Sequence, residues 1–569
     1  MSGRARRLSE SLSRTAPLCL ILAFSAFLLL ANASWILDNR EYWGHDESVH
    51  LAAGVKYAHL ILQPSTLHEF HRHFYAHYPP LLYLTSIPLT RVFGLTYLGL
   101  ALAGSVYYML FVLFLYLLAT RLTGSRLLGA AACLLTAANP SLLSLSHEYN
   151  LEAPLLAAVA AFYLAVYASD IFASRRLSWV AGIALGLGML IKTVFAFYAA
   201  APFVLVLGEA AAARIRSLGG GAPDAARNIK ATTARLGNAL RAGLLGAALA
   251  GIFYVPYGDK LLKEFFIDFH HWSGRPLVQD LTYYLAGYWQ NNHVLVVLLS
   301  IAALVLLLPR ALRDRRIGLL YLWILVPHAA FTAFDLKFFS YTYGYFAAAG
   351  ILAVLVLARL DRPGIVAGIA SMLILFSLAQ FGVVAFRYTT VPHFDPDSGS
   401  SGWRLKYDFF HTTFPGFVEA SGGLGDAALA ARVLSHHYAR VPVDRFALHS
   451  GDKEMDPNFV LFHLILDNPD IPYHEFTASN DRFVGILNVT EKLETADLLV
   501  HYALDREADP WPVLEEGPAS TWYGPAQLDA IRQGLQQGRD RFRLDLRMRM
   551  PEGRAIFCLV KRSENPPDS

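Results

Sequence analysis

Charge is scarce in this chain. Only 16% of its 569 residues are Asp, Glu, Lys or Arg, where a soluble protein carries about 25%. A single water-soluble globule is thereby excluded, and many membrane spans joined to one polar portion are implied. Cysteine is scarcer still, with Cys19, Cys133 and Cys558. Two of these lie in apolar runs and one near the end, so neither a disulfide framework nor a thiolate metal site is implied. The net charge of +3 averages over compartments that a membrane keeps apart, and it points to no nucleic-acid partner.

Apolar length is what the chain has instead. The runs are 16–36, 96–118, 127–145, 154–167, 179–191, 194–207, 242–255, 293–308, 317–334, 338–357 and 364–385. They predict about eleven helical spans, several of them shorter than the ~20 residues that a perpendicular crossing needs. Ala31-Asn32-Ala33 would suit a signal-peptide cleavage site. The first run is longer than a typical signal core and many spans follow, so it reads as a retained helix.

Basic residues set the orientation. Arg4, Arg6, Arg7 and Arg14 precede the first run, Arg121 and Arg126 follow the second, and Arg175 and Arg176 follow the fourth. Arg214 to Arg241 fill the link after the sixth, Arg310 to Arg316 follow the eighth, and Arg359 and Arg362 the tenth. Every second loop is Arg-rich, which makes those loops and the amino terminus cytoplasmic. The opposite loops hold Asp46, Glu47, the 68–77 segment, Glu148, Glu152, Lys192, His270, His271 and Lys337. The unusual polar residues thus gather on the outer side.

Past residue 386 the composition turns polar. An odd number of spans places residues 387–569 outside the membrane. The segment 497–502 reads as a buried strand, 542–550 alternates with period two, and 554–561 after Pro551-Glu552-Gly553 completes a hairpin. Helical patterns at 424–434 and 526–535 make this a mixed α/β domain. The expected architecture is therefore mainly α: a transmembrane helical bundle over residues 1–386, then an extracytoplasmic α/β domain over 387–569.

The outer residues carry the chemistry. Tyr42-Trp43-Gly44-His45-Asp46-Glu47 places two carboxylates in a loop just past the first run. Carboxylates are costly in hydrocarbon, so a pair at the bilayer edge points to a site, with a structural helix cap as the competing reading. His68 to His77 holds four histidines, with His73 and His77 spaced for one helical face. That spacing permits a metal, although interfacial histidines more often bond lipid or loop carbonyls. Tyr78-Pro79-Pro80-Leu81 opens an amphipathic segment at the interface. Glu148 and Glu152 share a face at the mouth of the fourth span. There, simple interaction with the helix dipole is the plainer account. Lys192 interrupts two short apolar runs, where snorkelling to the headgroups would explain it. Lys337 lies at another helix mouth. His270, His271 and Arg275 sit among Trp272, Tyr283, Tyr284, Tyr288 and Trp289, a density that suits an interfacial belt or a sugar platform.

Four passages together resemble the GT-C class of integral-membrane glycosyltransferases, which take sugars from polyprenyl-phosphate carriers. Within it, they are most similar to the bacterial protein O-mannosyltransferases and the lipid A aminoarabinose transferase. Gly44-His45-Asp46-Glu47-Ser48 matches the first-loop acidic motif, and His77-Tyr78-Pro79-Pro80-Leu81-Leu82-Tyr83 the interfacial Pro-Pro-Leu segment. Glu152-Ala153-Pro154-Leu155-Leu156 falls where the class has an acid opening the fourth span. Gly186-Leu187-Gly188-Met189-Leu190-Ile191-Lys192 matches a glycine-rich helix end, with Ile191 where a threonine is usual. The likeness runs from residue 16 to about residue 357.

The resemblance implies the following roles. Asp46 matches the catalytic acid, with Glu47 beside it. His77 and Glu152 match positions that hold a divalent metal in the aminoarabinose branch. The phosphate-binding lysine of that branch is replaced here by Tyr78, leaving Arg275, Lys192 and Lys337 as the cations for the donor phosphate. His45, Tyr78, Glu148 and His270 are further site candidates. The implied reaction moves a sugar, with inversion, from a polyprenyl phosphate to a lipid, glycan or protein acceptor at the outer face of a bacterial plasma membrane. The phosphate is already a good leaving group, so the acceptor needs only a base. The absence of a cytoplasmic nucleotide-phosphate loop agrees with this.

Two other classes compete. A transporter or flippase of a lipid-linked saccharide would place charges at the midplane and show repeated topology, whereas here the charges sit at helix mouths on one side. A non-catalytic scaffold with an outer sensing domain explains the tail but not the gathering of acids and cations.

Overall fold

The apolar runs become helix because nothing in a bilayer can satisfy a backbone N–H or C=O except the segment itself. The structure is a computed structural model. It describes residues 3–38, 45–62, 78–218, 223–270, 277–290, 292, 294–333 and 339–386, and strands at 446–450, 478–479, 498–504, 542–550 and 554–561. The first helices are α1 (Gly3–Asp38), α2 (His45–Leu62), α3 (Leu81–Phe93), α4 (Tyr97–Thr123) and α5 (Arg126–Ala137). Then come α6 (Pro140–Leu143) with the 3-10 turn Ser144–Ser146, α7 (Glu152–Ala168), α8 (Arg175–Met189), α9 (Phe195–Leu218) and α10 (Pro223–His270). The last are α11 (Leu277–Gln290), α12 (Val294–Ala311), α13 (Arg315–Ala333), α14 (Tyr343–Leu357) and α15 (Pro363–Phe386).

Among the described residues each apolar run is mostly helix, but not all are full spans. Among the described residues, 7 helices are long and apolar enough to cross a membrane, or up to 8 if a bent pair counts as one. Leu81–Phe93, Glu152–Ala168 and Leu295–Ala311 are shorter apolar helices. The run 127–145, expected as one helix, breaks into α5 and α6 with a bend of 74°. Asn139-Pro140 causes the break. Proline disfavours helical backbone in the residue before it, and Asn139 takes an extended ψ of 128°. Its side chain then accepts from the Ser141 N–H at 2.9 Å and starts the next turn.

Helix boundaries elsewhere follow local chemistry. The Thr96 hydroxyl accepts from Gly99 N–H at 3.2 Å to cap α4, and Gly124, at φ 69°, ends it in the left-handed conformation. Ser125 then caps α5 through Leu128 N–H at 3.4 Å. Buried polar groups tie the helices together. Asn32 of α1 donates to the Ser105 hydroxyl of α4 at 3.1 Å and to the Ser146 carbonyl at 2.9 Å. The rings of Tyr163 on α7 and Trp323 on α13 stack at 3.6 Å. Tyr163 donates to the Tyr198 carbonyl at 2.9 Å, and Trp323 to the Gly344 carbonyl at 3.1 Å.

The chain divides into two compact units, one of Met1–Asp38 with Tyr75–Glu419 and one of Asn39–Phe74 with Ala420–Ser569. The second therefore takes in Asn39–Phe74 as well as the polar tail from Ala420 on. It contains a five-stranded sheet of order β2-β1-β3-β5-β4, from β1 (Phe446–Ser450), β2 (Ala478–Ser479), β3 (Leu498–Leu504), β4 (Phe542–Met550) and β5 (Arg554–Lys561). β1 runs parallel to β2 and β3, while β5 pairs antiparallel with β3 and β4. The strands read at 497–502, 542–550 and 554–561 correspond to β3, β4 and β5. The register of β4 on β5 shifts between Leu544 and Leu546. The helical patterns at 424–434 and 526–535 lie outside the described residues.

Candidate active site

The site in the first unit is built from three passages far apart in sequence. α8 ends at Met189, and its orphan Leu190 carbonyl accepts from Leu81 N–H at 3.0 Å. Leu81 is the first residue of α3, after Pro80, so one free helix start meets one free helix end. Glycines bring α10 and Phe195 of α9 close to this end of α8. A methyl on Gly186 would lie 2.6 Å from Leu249 of α10, and one on Gly188 would overlap the Phe195 ring. The Tyr254 hydroxyl, also on α10, donates to the Met189 carbonyl at 2.9 Å. Lys192 then turns the chain into α9, its carbonyl accepting from Phe195 N–H at 3.0 Å.

That turn places the Lys192 ammonium on the Glu152 carboxylate. Nζ lies 2.6 Å from Oε1, and the side chains are only 16% and 6% exposed. Glu152 opens α7, where the helix dipole favours a negative charge. Its second oxygen, Oε2, is buried and has no hydrogen-bond partner among the described residues. The snorkelling account of Lys192 is thereby replaced: the ammonium goes to an acid inside the bundle, not to the headgroups. The Tyr341 ring centroid lies 5.9 Å from Nζ, within reach of a cation–π attraction. The Tyr198 hydroxyl donates to the Tyr341 carbonyl and holds that turn in place. Tyr343 is close enough to Glu148 and Glu152 to feel both charges.

Glu148 sits half-buried on the segment between the broken span and α7. Two contacts fix this segment. The Tyr149 and Ser86 hydroxyls bond at 2.9 Å, and Gly104 of α4 touches the Glu148 carbonyl so closely that a methyl there would overlap it. Backbone cannot move aside cheaply. Gly104→Ala is therefore expected to lower stability by about 1–3 kcal/mol, as overpacking does, and to shift Glu148. A thermal unfolding midpoint equal to that of the wild type would show that the segment gives way freely.

The other sequence-predicted residues that are described lie on or beside other elements. Asp46 and Glu47 lie in the first turn of α2, which His45 opens, and not in a loop. Carboxylates are favoured at a helix start, so the acidic pair extends the helix to meet it. Glu47 is buried, as is His50 one turn on. α2 belongs to the second unit. Tyr78 is half-buried, just ahead of α3. His270 ends α10. His77, Arg275 and Lys337 lie outside the described residues. For a metal, Glu152 offers its orphaned oxygen as one ligand, with His77 as the proposed second. Among the described residues, no three His, Cys, Asp or Glu side chains come together. Tyr198, Tyr341 and Tyr343 went unread in the sequence, because tyrosines at helix mouths look like an ordinary interfacial belt.

Residues 77–219 match the family described as dolichyl-phosphate-mannose-protein mannosyltransferase. That stretch contains the Pro-Pro-Leu segment, Glu152 and the glycine-rich helix end, the passages that meet in the site. No curated protein sequence matches the chain significantly. Among solved structures, the chain is similar to ArnT from Cupriavidus metallidurans in the apo state. The identity is 14% and the TM-score 0.53, over 96% of this chain and 98% of that one. It is also similar to ArnT from the same organism bound to undecaprenyl phosphate, at 14% identity and a TM-score of 0.50 over the same shares. The likeness is one of fold. The chain is a multi-span membrane protein with an ArnT-like fold, and the resemblance to the GT-C class read from its sequence holds.

Proposed function

We propose that this chain is a membrane glycosyltransferase that moves a sugar from a polyprenyl phosphate to an acceptor at the outer face of a bacterial inner membrane. The convergence of Leu81, Glu152 and Lys192 in one buried site carries the reading, because the stretch that forms it is the stretch matching the mannosyltransferase family. The ArnT structure with bound undecaprenyl phosphate supports the choice of donor.

The reaction follows from the residues. An acceptor hydroxyl attacks the anomeric carbon from the face opposite the phosphate, so the centre inverts. The carbon–oxygen bond to the phosphate breaks and its electron pair leaves with the phosphate. Asp46, with Glu47 beside it, takes the hydroxyl proton. Lys192, Arg275 and Lys337 stabilise the charge that develops on the phosphate. Lys192 reaches it by exchanging the Glu152 oxygen for a phosphate oxygen. His77 and Glu152 are the residues that would hold a divalent metal, which would supply further charge neutralisation. His45, Tyr78, Glu148 and His270 are further candidates for contact with donor or acceptor.

The proposed topology has eleven spans, a cytoplasmic amino terminus and an outer α/β domain from residue 387. Reporter fusions after Ser217 and after Ser398 should then report opposite sides of the membrane. The same side for both would mean that the span count is off by one. The function itself is tested by deleting the chain and comparing lipids, glycans and glycoproteins by mass. One acceptor should lose a single sugar, restored by the wild-type chain and not by Asp46→Asn. Unchanged masses throughout would remove the reading.

A further inference from the structure

The turn after α7 is strained, and it is strained around an acid. Asp170, Ile171 and Phe172 have φ values of 52°, 55° and 62°, left-handed backbone that L-residues, β-branched ones above all, avoid. No glycine relieves it. Hydrogen bonds over-determine the conformation. The Ser169 hydroxyl accepts from Phe172 N–H at 2.9 Å, and Asn238 of α10 donates to the Phe172 carbonyl at 2.9 Å. The result is that Asp170 is held against basic residues from two other elements. Arg315 and Arg316 lie 2.5 and 3.1 Å from its oxygens. Burial pushes the Asp170 carboxyl up, but the hydrogen bonds and charges of Arg316 and Arg315 outweigh it and hold the carboxyl below its usual value.

Arg235 completes the cluster without being satisfied by it. It lies one turn before Asn238 on α10, 3.6 Å from Asp170 and 3.8 Å from Glu209. Both separations exceed hydrogen-bond length. Its side chain is 17% exposed, and among the described residues it makes no hydrogen bond. Three guanidiniums therefore share Asp170 and Glu209, with Asp314 accepting from the Arg316 backbone N–H at 2.9 Å, and most of their fork-shaped donors stay unspent. Arg315 and Arg316, at 31% and 56% exposed, leave the cluster open to solvent. Such forks match phosphate oxygens in pairs.

The place of the cluster separates it from the candidate active site. Glu152 starts the 17-residue α7 and Asp170 follows its end, so the two lie about 26 Å apart along the helix axis. Leu207, close before Glu209, and Leu312, close before Arg315, are exposed apolar residues at 54% and 82%. In a membrane protein such side chains meet lipid tails. We infer that Arg235, Arg315 and Arg316 form an anion site at the end of the bundle opposite Glu152, taking a phosphate group. The phosphate comes either from an anionic phospholipid headgroup or free from solution, and Asp170 occupies the guanidiniums until it binds.

The full-length protein in nanodiscs tests this. Wild-type protein should retain phosphatidylglycerol over phosphatidylcholine at least tenfold after partial delipidation, read by native mass spectrometry. Arg235→Gln with Arg316→Gln should abolish that preference. Asp170→Asn removes the competing carboxylate, so it should leave retention equal or raise it several-fold. A calorimetric titration with inorganic phosphate separates the sources. Saturable phosphate binding that depends on Arg235 and Arg316, without lipid preference, assigns the site to free phosphate. If neither phosphate nor phosphatidylglycerol binds in an Arg235- and Arg316-dependent way, the arginines only hold the turn and the inference fails. Loss of binding in Asp170→Asn equal to that of the arginine variants would overturn it equally.

Discussion

Asp46→Asn should lower sugar transfer by about two to four orders of magnitude, the range that a general base contributes. The substitution keeps the shape and removes the basic oxygen. It should do so at little cost in fold, because Asp46 lies in the first turn of α2, where Asn and Asp have similar helix propensity. This separates the two readings of the acidic pair. A carboxylate that only helps to start α2 would change stability by roughly 1 kcal/mol or less and leave turnover alone. A base would leave the thermal midpoint near that of the wild type and remove turnover. Steady-state transfer and thermal unfolding on the same purified variant decide between them. Full turnover in a folded Asp46→Asn protein would move the role of base to Glu47 or Glu152.

Lys192→Ala should be damaging in two ways at once. The Glu152–Lys192 bridge is 2.6 Å long and its side chains are 6% and 16% exposed, so removing one partner strands a buried charge. Breaking a buried pair in this way costs about 3–5 kcal/mol. Donor binding should also fall, because the ammonium is proposed to meet the phosphate. The double variant Glu152→Gln with Lys192→Met distinguishes these effects. Replacing both charges with groups of similar volume restores stability in many buried pairs, so the double variant should melt near the wild type and still fail to transfer. If it transfers normally, the pair is purely structural and the phosphate is held by Arg275 and Lys337 alone. If Lys192→Ala melts like the wild type, the pair is weaker than its geometry implies.

The membrane helices were legible because apolar length needs no partner to be read. Among the described residues each run from 16–36 to 364–385 is mostly helix, although only 7 or up to 8 helices are long and apolar enough to cross a membrane. The break at Asn139-Pro140 was written in the sequence too, but an apolar flank on both sides masked it. Strand β4 was legible from the period-two pattern of Phe542 to Met550, and β5 followed from its turn. β1 and β2 are too short to show a period.

The site was legible as a list of residues and not as an arrangement. Glu152 and Lys192 are 40 positions apart, and nothing local marks them as partners. Each alone had a bland explanation, a helix start for one and snorkelling for the other. Their pairing follows from the turn after α8, beside which Gly186 and Gly188 admit Leu249 and the Phe195 ring. The sequence showed those glycines only as a motif. Tyr198 and Tyr341 were hidden for the same reason, since a hydroxyl bonded to a carbonyl of a distant turn leaves no sequence signal. The strained turn at Asp170 was invisible because left-handed backbone is usually announced by glycine, and here Asn238 and Ser169 hold it instead.

Turnover by the purified chain in a bilayer tests the central claim most directly. The protein is reconstituted with a polyprenyl-phosphate sugar labelled in the sugar, and the outer-membrane or cell-surface acceptor fraction is added. The account predicts that label moves onto an acceptor while an equal amount of polyprenyl phosphate is released, and that Asp46→Asn abolishes both. Labelled lipid that crosses the bilayer with its sugar–phosphate bond intact, or that stays unchanged with every acceptor fraction, would contradict it.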